Sequence, residues 1–204
     1  MNIKAAIILS GCGHMDGSEI RESTFVALEL DRCGVSYDFF APDKDFVPIN
    51  YATKEEMPEK RNVLIEASRI SRGYIIDIDK MDVANYSTLI IPGGFGVMKN
   101  LSDIAVNKKN PYIVPSIKNK IIKFWEAKKP IGAVCIAPAL VVAALSHLTS
   151  IRVTLGELRH SEMIKALGGQ YTECDSDDFV VDIENMIFST PAYMLDRKAH
   201  IVLE

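Results

Sequence analysis

The chain has 204 residues, of which 48% are hydrophobic and 25% charged, and a formal net charge of −4. This is the composition of a soluble globular protein, and the length predicts one domain, residues 1–204, with a sizeable core. The acidic balance and the lack of a dense Lys/Arg cluster argue against a nucleic-acid partner.

The sequence predicts neither a targeting segment nor a cysteine-based metal or disulfide site. The first apolar run, KAAIIL from Lys4, is too short for a signal peptide or a membrane span, and no other stretch approaches that length. We therefore expect a cytoplasmic protein that does not contact membranes. The cysteines, at positions 12, 33, 135 and 174, show neither a CxxC pair nor metal-finger spacing. They are expected as free thiols, and neither a metal nor a cofactor is predicted.

Short apolar runs rich in Ile and Val alternate along the chain with longer segments of helical periodicity. This alternation predicts a mainly parallel sheet with helices on both faces. In chain order, the predicted strands are 3–9, 35–41, 74–78, 87–92, 130–135, 151–155, 179–182 and 186–189. The predicted helices are 18–33, 59–72, 116–128, 137–147 and 160–168.

Two helices show which face they should bury. The first is expected to bury Ile20, Phe25, Leu28 and Cys33. The helix at 116–128 places an apolar stripe on one side, made of Ile117, Ile121, Phe124 and Trp125. Two polar stretches, 44–73 and 103–115, look like additions to a minimal α/β unit and could wall a pocket.

The ligand site of a parallel sheet lies beyond the carboxyl ends of its strands. In PIGAVCIAPALVVAAL, an apolar strand runs into Cys135 and a helix follows at once, the context of a nucleophile elbow. Ala133 and Ala137 are small enough for the tight turn. A thiol at a helix N-terminus is expected to have a lowered pKa. The alternative is a buried cysteine that only packs.

Two further strand ends carry unusual residues. In TLIIPGGFGVMKNLSD, Gly93 and Gly94 could turn backbone N–H groups toward an oxyanion, or form only a tight turn before a helix beginning near Asn100. In SGCGHMDGSEIRE, the glycine spacing is one residue too long for a dinucleotide fingerprint. That stretch instead offers Glu19 and Glu22 on one helix face, either to reach Cys135 or simply to favour the helix N-terminus.

Together these segments resemble the ThiJ/PfpI branch of the class I glutamine amidotransferase-like superfamily, and more narrowly the ElbB glyoxalase-like family. The matching pieces are ILSGCGHMDGSEI, FAPDK, RNVLIEASRI, PGGFGVMKNLS, KPIGAVCIAPA and FSTPAYM. They run from residue 7 to about 194, so the resemblance covers nearly the whole chain. It implies a flavodoxin-like three-layer sandwich with a reactive cysteine at its elbow, and a homodimer.

The resemblance also implies roles for individual residues. It carries the nucleophile onto Cys135, the nearby acid onto Glu22 and the oxyanion turn onto Gly94. Glu22 is preferred to Glu19 because the superfamily often shows two acids three apart, with the second reaching the thiol. Glu19 and Gly93 remain candidates for auxiliary roles. Hydrolytic relatives place a histidine directly after the nucleophile, where this chain has Ile136. This departure disfavours glutamine hydrolysis and proteolysis, which need a base and an acid for the leaving amine.

Two loop residues are weaker candidates. His14, in the first strand–helix loop, is the best placed of the histidines to join the site or is only a loop residue; His147, His160 and His200 are expected at the surface or at helix ends. Cys12 lies in the same loop. It could resolve an oxidised Cys135 as a disulfide or simply pack in a tight loop.

The function that the resemblance implies is a cofactor-independent glyoxalase, a lyase that converts glyoxal or methylglyoxal to a 2-hydroxy acid, with a link to isoprenoid biosynthesis. Its partner would be the small reactive aldehyde. The alternative is a non-catalytic redox sensor or accessory protein, because an elbow thiolate is also what peroxide oxidises most readily.

Overall fold

The computed structural model describes residues 3–203 and confirms the alternation of strands and helices. In this range the strands are β1 (Lys4–Ile8), β2 (Ser36–Ala41), β3 (Asp45–Phe46), β4 (Arg61–Asn62), β5 (Ile75–Asp77), β6 (Thr88–Ile91), β7 (Ile131–Val134), β8 (Arg152–Val153), β9 (Gln170–Tyr171), β10 (Val180–Asp182) and β11 (Ile187–Thr190). The α-helices of the same range are α1 (Ile20–Arg32), α2 (Val63–Ala67), α3 (Gly96–Lys99), α4 (Pro115–Glu126), α5 (Ala137–Leu145), α6 (Ser161–Ala166) and α7 (Ala199–Leu203).

Over the described part of the chain, the central sheet has seven strands in the order β10-β11-β7-β6-β1-β2-β5. Its pairs are parallel, except that β10 runs antiparallel to β11 at the edge. The predicted fold class, an α/β flavodoxin-like three-layer sandwich with a mainly parallel sheet, is confirmed. The order matters for the site, because β11, β7 and β6 are neighbours and their carboxyl ends meet at one edge.

The central strand β1 shows why the sheet needs helices on both faces. Successive side chains of a strand point to opposite sides. Ala6 and Ile8 belong to one core, which includes buried residues of α4 and α5, while Ile7 and Leu9 belong to the other, against α1 and α2. Each face of β1 therefore buries apolar surface.

The predicted stripe of the helix at 116–128 is confirmed in α4. Ile117, Ile121 and Phe124 are fully buried, and Trp125 packs half-buried beside them. Pro115 begins the helix, where its missing N–H leaves no hydrogen bond unmade.

The predicted buried face of α1 is wrong. Ile20 and Cys33 are exposed, and Phe25 and Leu28 are only half-buried. Instead the buried residues of α1 are the polar Glu22 and Ser23. The helix is therefore rotated so that its first turn points a carboxyl group into the protein, and this rotation creates the site described below.

Three boundaries also differ from the predictions. The helix expected at 59–72 is reduced to α2, because Arg61 and Asn62 pair with Asp45 and Phe46 in a two-stranded ribbon and the chain leaves the helix after Ala67. The strand at 151–155 shortens to β8, which pairs with β9 outside the main sheet. The helix expected to begin near Asn100 is instead α3, Gly96–Lys99, which ends directly before Asn100.

Asn100 has a different task. Its side-chain amide donates to the carbonyls of Ser10 and Asp16, at 2.8 and 2.7 Å. It thereby ties the segment after β6 to the loop after β1. Between residues 3 and 203, no helix is both long and apolar enough to cross a membrane.

Candidate functional site

The candidate site is built where β6, β7 and β11 end side by side. Cys135 follows β7 directly, and its backbone N–H donates to the carbonyl of Thr190 at the end of β11, at 2.9 Å. Gly93 and Gly94 follow β6, and Tyr193 lies in the 3₁₀ turn Ala192–Leu195 that follows β11. Three segments distant in sequence therefore reach one point because their strands are neighbours.

The backbone at Cys135 has the form expected of a nucleophile elbow. Its φ is 61°, in the left-handed region that residues with a Cβ rarely adopt. Such a conformation costs on the order of 1–3 kcal/mol and persists where the surrounding structure enforces it. Here β7 and α5 hold it from either side, since α5 begins two residues later at Ala137.

Glu22 is the side chain that the structure brings to Cys135. Its carboxyl group is buried, accepts a hydrogen bond from the Gly93 N–H at 2.9 Å and faces the Tyr193 N–H at 3.4 Å. It also shares a hydrogen bond with the Cys135 thiol. Burial raises the pKa of Glu22 to about 7, and the charge of Glu19 adds to this, while the bonds from Cys135, Tyr193 and Gly93 oppose it.

The thiol of Cys135 does not have the lowered pKa that the helix N-terminus led us to expect. Burial raises its pKa well above 9.0, and the neighbouring Glu22 carboxylate raises it further. The N–H groups of Gly94 and Ile136 act in the opposite direction. The expectation was wrong because it considered the helix dipole without the burial of the thiol and without the neighbouring acid. The Glu22 carboxyl group therefore loses its proton at a lower pH than the thiol does.

The two glycines after β6 have separate tasks. The Gly93 N–H holds Glu22, whereas the Gly94 N–H points at the Cys135 sulfur. A Cβ at Gly93 would lie 2.6 Å from a Glu22 carboxyl oxygen, so no larger residue fits there. The Ile136 N–H joins Gly94 as a second donor, which the sequence did not single out.

Glu19 does not reach the thiol. Its carboxylate caps α1 by accepting a hydrogen bond from the Glu22 N–H at 2.7 Å. Of the two roles considered for it from the sequence, this contact is the one that favours the helix N-terminus. Its backbone N–H donates to the Gly93 carbonyl at 2.9 Å. Glu19 thus fixes the start of α1 against the β6 turn, and this places Glu22 one turn further on.

The glycine-rich loop after β1 packs against the β6 turn. The Phe95 N–H donates to the His14 carbonyl at 2.7 Å, and the Gly96 N–H donates to the Gly17 carbonyl at 3.0 Å. A Cβ at Gly96 would lie 2.6 Å from the Gly17 Cα, so the two backbones approach closely. The loop therefore holds the first turn of α1, which carries Glu22, beside the β6 turn.

A cavity of about 720 Å³ opens in front of Cys135. Its lining combines apolar side chains with a few polar ones. The lining residues are His14, Glu19, Ile20, Arg21, Gly94, Phe95, Met98, Cys135, Ile136, His160, Met163, Tyr193, Met194 and Asp196. The polar stretches 44–73 and 103–115 contribute no residue to it.

The histidines divide between the cavity and the surface. His14 lines the cavity and packs edge-on against Tyr51, with ring centroids 5.3 Å apart. His160 also lines it, half-buried at the start of α6, and burial lowers its pKa. Within residues 3–203, no hydrogen bond joins either to Cys135 or Glu22. His147 and His200 are exposed, as expected.

Sequence reasoning missed most of the cavity wall. The methionines 98, 163 and 194 come from α3, α6 and the turn after β11, so no spacing along the chain connects them. Tyr193 lies in the segment FSTPAYM, but it contributes its backbone N–H to the Glu22 carboxyl group, and a backbone contact cannot be recognised from the type of residue. Arg21 lies over the Tyr193 ring, 5.7 Å from its centroid.

Cys12 lies in a different environment. Its thiol is half-buried, and burial raises its pKa, with Glu66 and Asp16 adding to the rise and Arg69 opposing it. It does not line the cavity of Cys135. In the part of the chain that is described, no group of three or more His, Cys, Asp or Glu residues could hold a metal ion.

Comparison with known proteins places the chain among amidotransferase-like proteins. No protein-family model matches it. It is 37% identical over 209 residues to a rat protein described as "ES1 protein homolog, mitochondrial", covering 97% of this chain and 77% of the relative. It is 36% identical over 211 residues to the human "Glutamine amidotransferase-like class 1 domain-containing protein 3, mitochondrial", covering 98% and 78%.

Solved structures of other proteins show the same fold. The fold matches an Ehrlichia chaffeensis protein described as an "isoprenoid biosynthesis protein with amidotransferase-like domain", with a TM-score of 0.93 and 46% identity over 98% of this chain and 93% of that one. It also matches Drosophila melanogaster DJ-1beta, with a TM-score of 0.55 and 15% identity over 100% and 86% of the two chains. The second likeness concerns the fold alone.

Proposed function

The chain belongs to the ES1 family of class 1 glutamine amidotransferase-like proteins, and from this premise we propose that it is a cofactor-independent glyoxalase of the ElbB type. One observation carries the proposal: a buried carboxyl group, Glu22, with a pKa of about 7, shares a hydrogen bond with the Cys135 thiol beside an open cavity. A base whose pKa lies near neutrality can both take and return a proton.

The first step forms a hemithioacetal. Glu22 takes the thiol proton, and the Cys135 sulfur forms a bond with the aldehyde carbon of methylglyoxal. The aldehyde oxygen then receives that proton from Glu22, which is thereby ionised again. The N–H groups of Gly94 and Ile136, which already face the sulfur, lie where they can hold the oxygen while it is negative.

The second step moves a proton between adjacent carbons. Glu22 removes the hydrogen from the carbon bonded to sulfur, which gives an enediolate, and a proton is returned to the neighbouring carbon. The hydroxyl proton on the carbon bonded to sulfur passes to the oxygen of the neighbouring carbon, so the product is a thioester of lactate on Cys135. Water then cleaves the carbon–sulfur bond, and lactate leaves as the thiol recovers its proton. No electron acceptor is needed, because the aldehyde carbon is oxidised as the ketone carbon is reduced.

Amide hydrolysis is a poorer fit to the site. It needs a general acid for a departing amine, and the residue after Cys135 is Ile136 rather than histidine. Redox sensing would use the same thiol, and the raised pKa of Cys135 limits the thiolate available to peroxide as much as that available to an aldehyde, so the experiment below decides between the two functions. We further propose a homodimer, and a role connected with isoprenoid synthesis as in the description of the Ehrlichia protein.

The test is lactate formation from methylglyoxal by the purified protein without glutathione. We expect Cys135→Ala to abolish it and Glu22→Gln to reduce kcat by about 10²- to 10⁴-fold, the usual contribution of general acid–base catalysis. The matched control is Cys174→Ala, which removes a thiol outside the cavity and should leave the rate unchanged.

An inactive wild-type protein would overturn the glyoxalase proposal. In that case, mass spectrometry after mild peroxide would decide the alternative. Selective oxidation of Cys135 without any aldehyde turnover would support a redox sensor.

A further inference from the structure

The cavity is large for the aldehyde named above. At about 720 Å³ it lies within the range of roughly 300–1,000 Å³ in which proteins bind drug-sized molecules. Methylglyoxal carries only a methyl group beyond its two carbonyls, so it would fill a small part of this space. The size of the cavity indicates a larger molecule attached to the reacting carbonyl.

The wall of the cavity shows what kind of substituent it suits. Met98, Met163 and Met194 face it from three separate segments. Methionine is flexible and polarisable, and it packs well against apolar groups of varied shape. Ile136, beside Cys135, continues this apolar surface up to the reacting sulfur.

Apolar surface also continues outward from the cavity. Ile20 and Phe95 line it and are 49% and 54% exposed. Large apolar side chains that remain exposed beside a cavity are covered when an apolar ligand binds, which contributes to affinity. The charged Arg21 is exposed, with its guanidinium over the Tyr193 ring rather than among the methionines.

We propose that the substrate is an aldehyde with an apolar substituent of several carbons, such as an aryl or alkyl 2-oxo aldehyde, and that the three methionines bind this substituent. The assignment rests on the proposed function for the reaction at Cys135. The carbonyl lies at the sulfur, and the apolar group lies along the methionines toward Ile20 and Phe95.

The binding part can be tested without turnover. Iodoacetamides with N-ethyl and N-hexyl substituents alkylate Cys135, the sulfur displacing iodide, and the rate is followed by mass spectrometry of the Cys135 peptide. Full burial of each added methylene would multiply the rate by about fourfold. We expect the hexyl reagent to react at least about tenfold faster than the ethyl reagent, after both rates are divided by those of free N-acetylcysteine.

A charge placed on the wall tests the assignment to the methionines. Met163→Glu should reduce the hexyl preference, which is the ratio of the two normalised rates measured on the same variant, to about onefold. The matched control is Met57→Glu, which introduces the same charge at a half-buried methionine outside the cavity. The Met57→Glu variant should keep the preference for the hexyl reagent. Equal normalised rates for the two reagents, or a preference that survives Met163→Glu, would overturn the proposal.

Turnover separates this inference from the glyoxalase proposal. We expect phenylglyoxal to show a KM at least about tenfold below that of methylglyoxal. Turnover of both with equal KM would overturn the apolar substituent and leave the glyoxalase standing. A hexyl preference with no turnover of either aldehyde would support the apolar site and overturn the glyoxalase.

Discussion

Replacing Glu22 by glutamine should change how the stability of the protein depends on pH. The carboxyl group has a pKa of about 7 in the folded protein, mainly because it is buried, against an ordinary value of 4.5. Between these two values the folded protein keeps a proton that the unfolded chain has released. The free energy of unfolding therefore falls as the pH rises through this window.

The magnitude follows from the two pKa values. Each pH unit between them corresponds to about 1.4 kcal/mol, so Glu22 costs the folded protein about 3 kcal/mol above pH 7 and nothing below pH 4.5. Glutamine cannot ionise, and its carbonyl can still accept the Gly93 N–H. We therefore expect the stability of Glu22→Gln, relative to the wild type, to increase by about 3 kcal/mol from pH 4.5 to pH 8.

The assay is urea unfolding across this pH range, followed by the fluorescence of the single tryptophan, Trp125. Glu29→Gln is the matched control, because Glu29 lies on the same helix but forms a surface ion pair with Arg32. Its stability relative to the wild type should vary by less than about 1 kcal/mol with pH. Parallel curves for Glu22→Gln and the wild type would refute the reasoning, since they would mean that folding leaves the Glu22 pKa unchanged.

Two further predictions test the packing of the site and the core by urea unfolding. Gly93→Ala should lower the free energy of unfolding by about 1–3 kcal/mol, because the new methyl group would crowd Glu22. Its control is Gly132→Ala, where the nearest atoms to the new methyl group are 3.7 Å away, and there the change should be less than about 1 kcal/mol. Ile121→Ala should lower the free energy of unfolding by about 2–5 kcal/mol, since the Ile121 side chain is fully buried. Its control is Ile65→Ala, at a side chain that is 64% exposed, and there the loss should be well under about 1 kcal/mol.

The sequence alone predicted the strands of the main sheet, the longer helices and the strand ends that would carry unusual residues, but it did not predict the short strands β3, β4 and β9 or the last helix, α7. Apolar periodicity depends only on residues that are near one another in the chain, so it can be recognised in a single sequence, and it predicted α4 with its buried stripe. The elbow at Cys135 was also legible, because a strand, a small-residue turn and a helix follow one another without interruption. The cytoplasmic location stays a prediction, and the rat and human relatives are named mitochondrial.

Local patterns failed where a polar residue is the buried one. In α1 the pattern predicted that Ile20 and Phe25 face the core, yet Glu22 and Ser23 do so. The reason is that the first turn of α1 is fixed by hydrogen bonds to the β6 turn, which lies over seventy residues away. The N–H of Gly93 and the thiol of Cys135 offset only part of the cost of burying the carboxyl group, and its pKa therefore stays raised.

The sequence by itself therefore predicted a mainly parallel sheet covered by helices, and its resemblance to a known family pointed to Cys135, Glu22 and Gly94. Only the tertiary structure shows that the Glu22 carboxyl group is buried beside the thiol while that of Glu19 caps α1, and that the thiol pKa rises instead of falling. It also assembled the methionine wall from three unconnected segments. The physical reason is the same in each case: burial, hydrogen bonds and charge act between groups that are close in space, and sequence spacing does not record that distance.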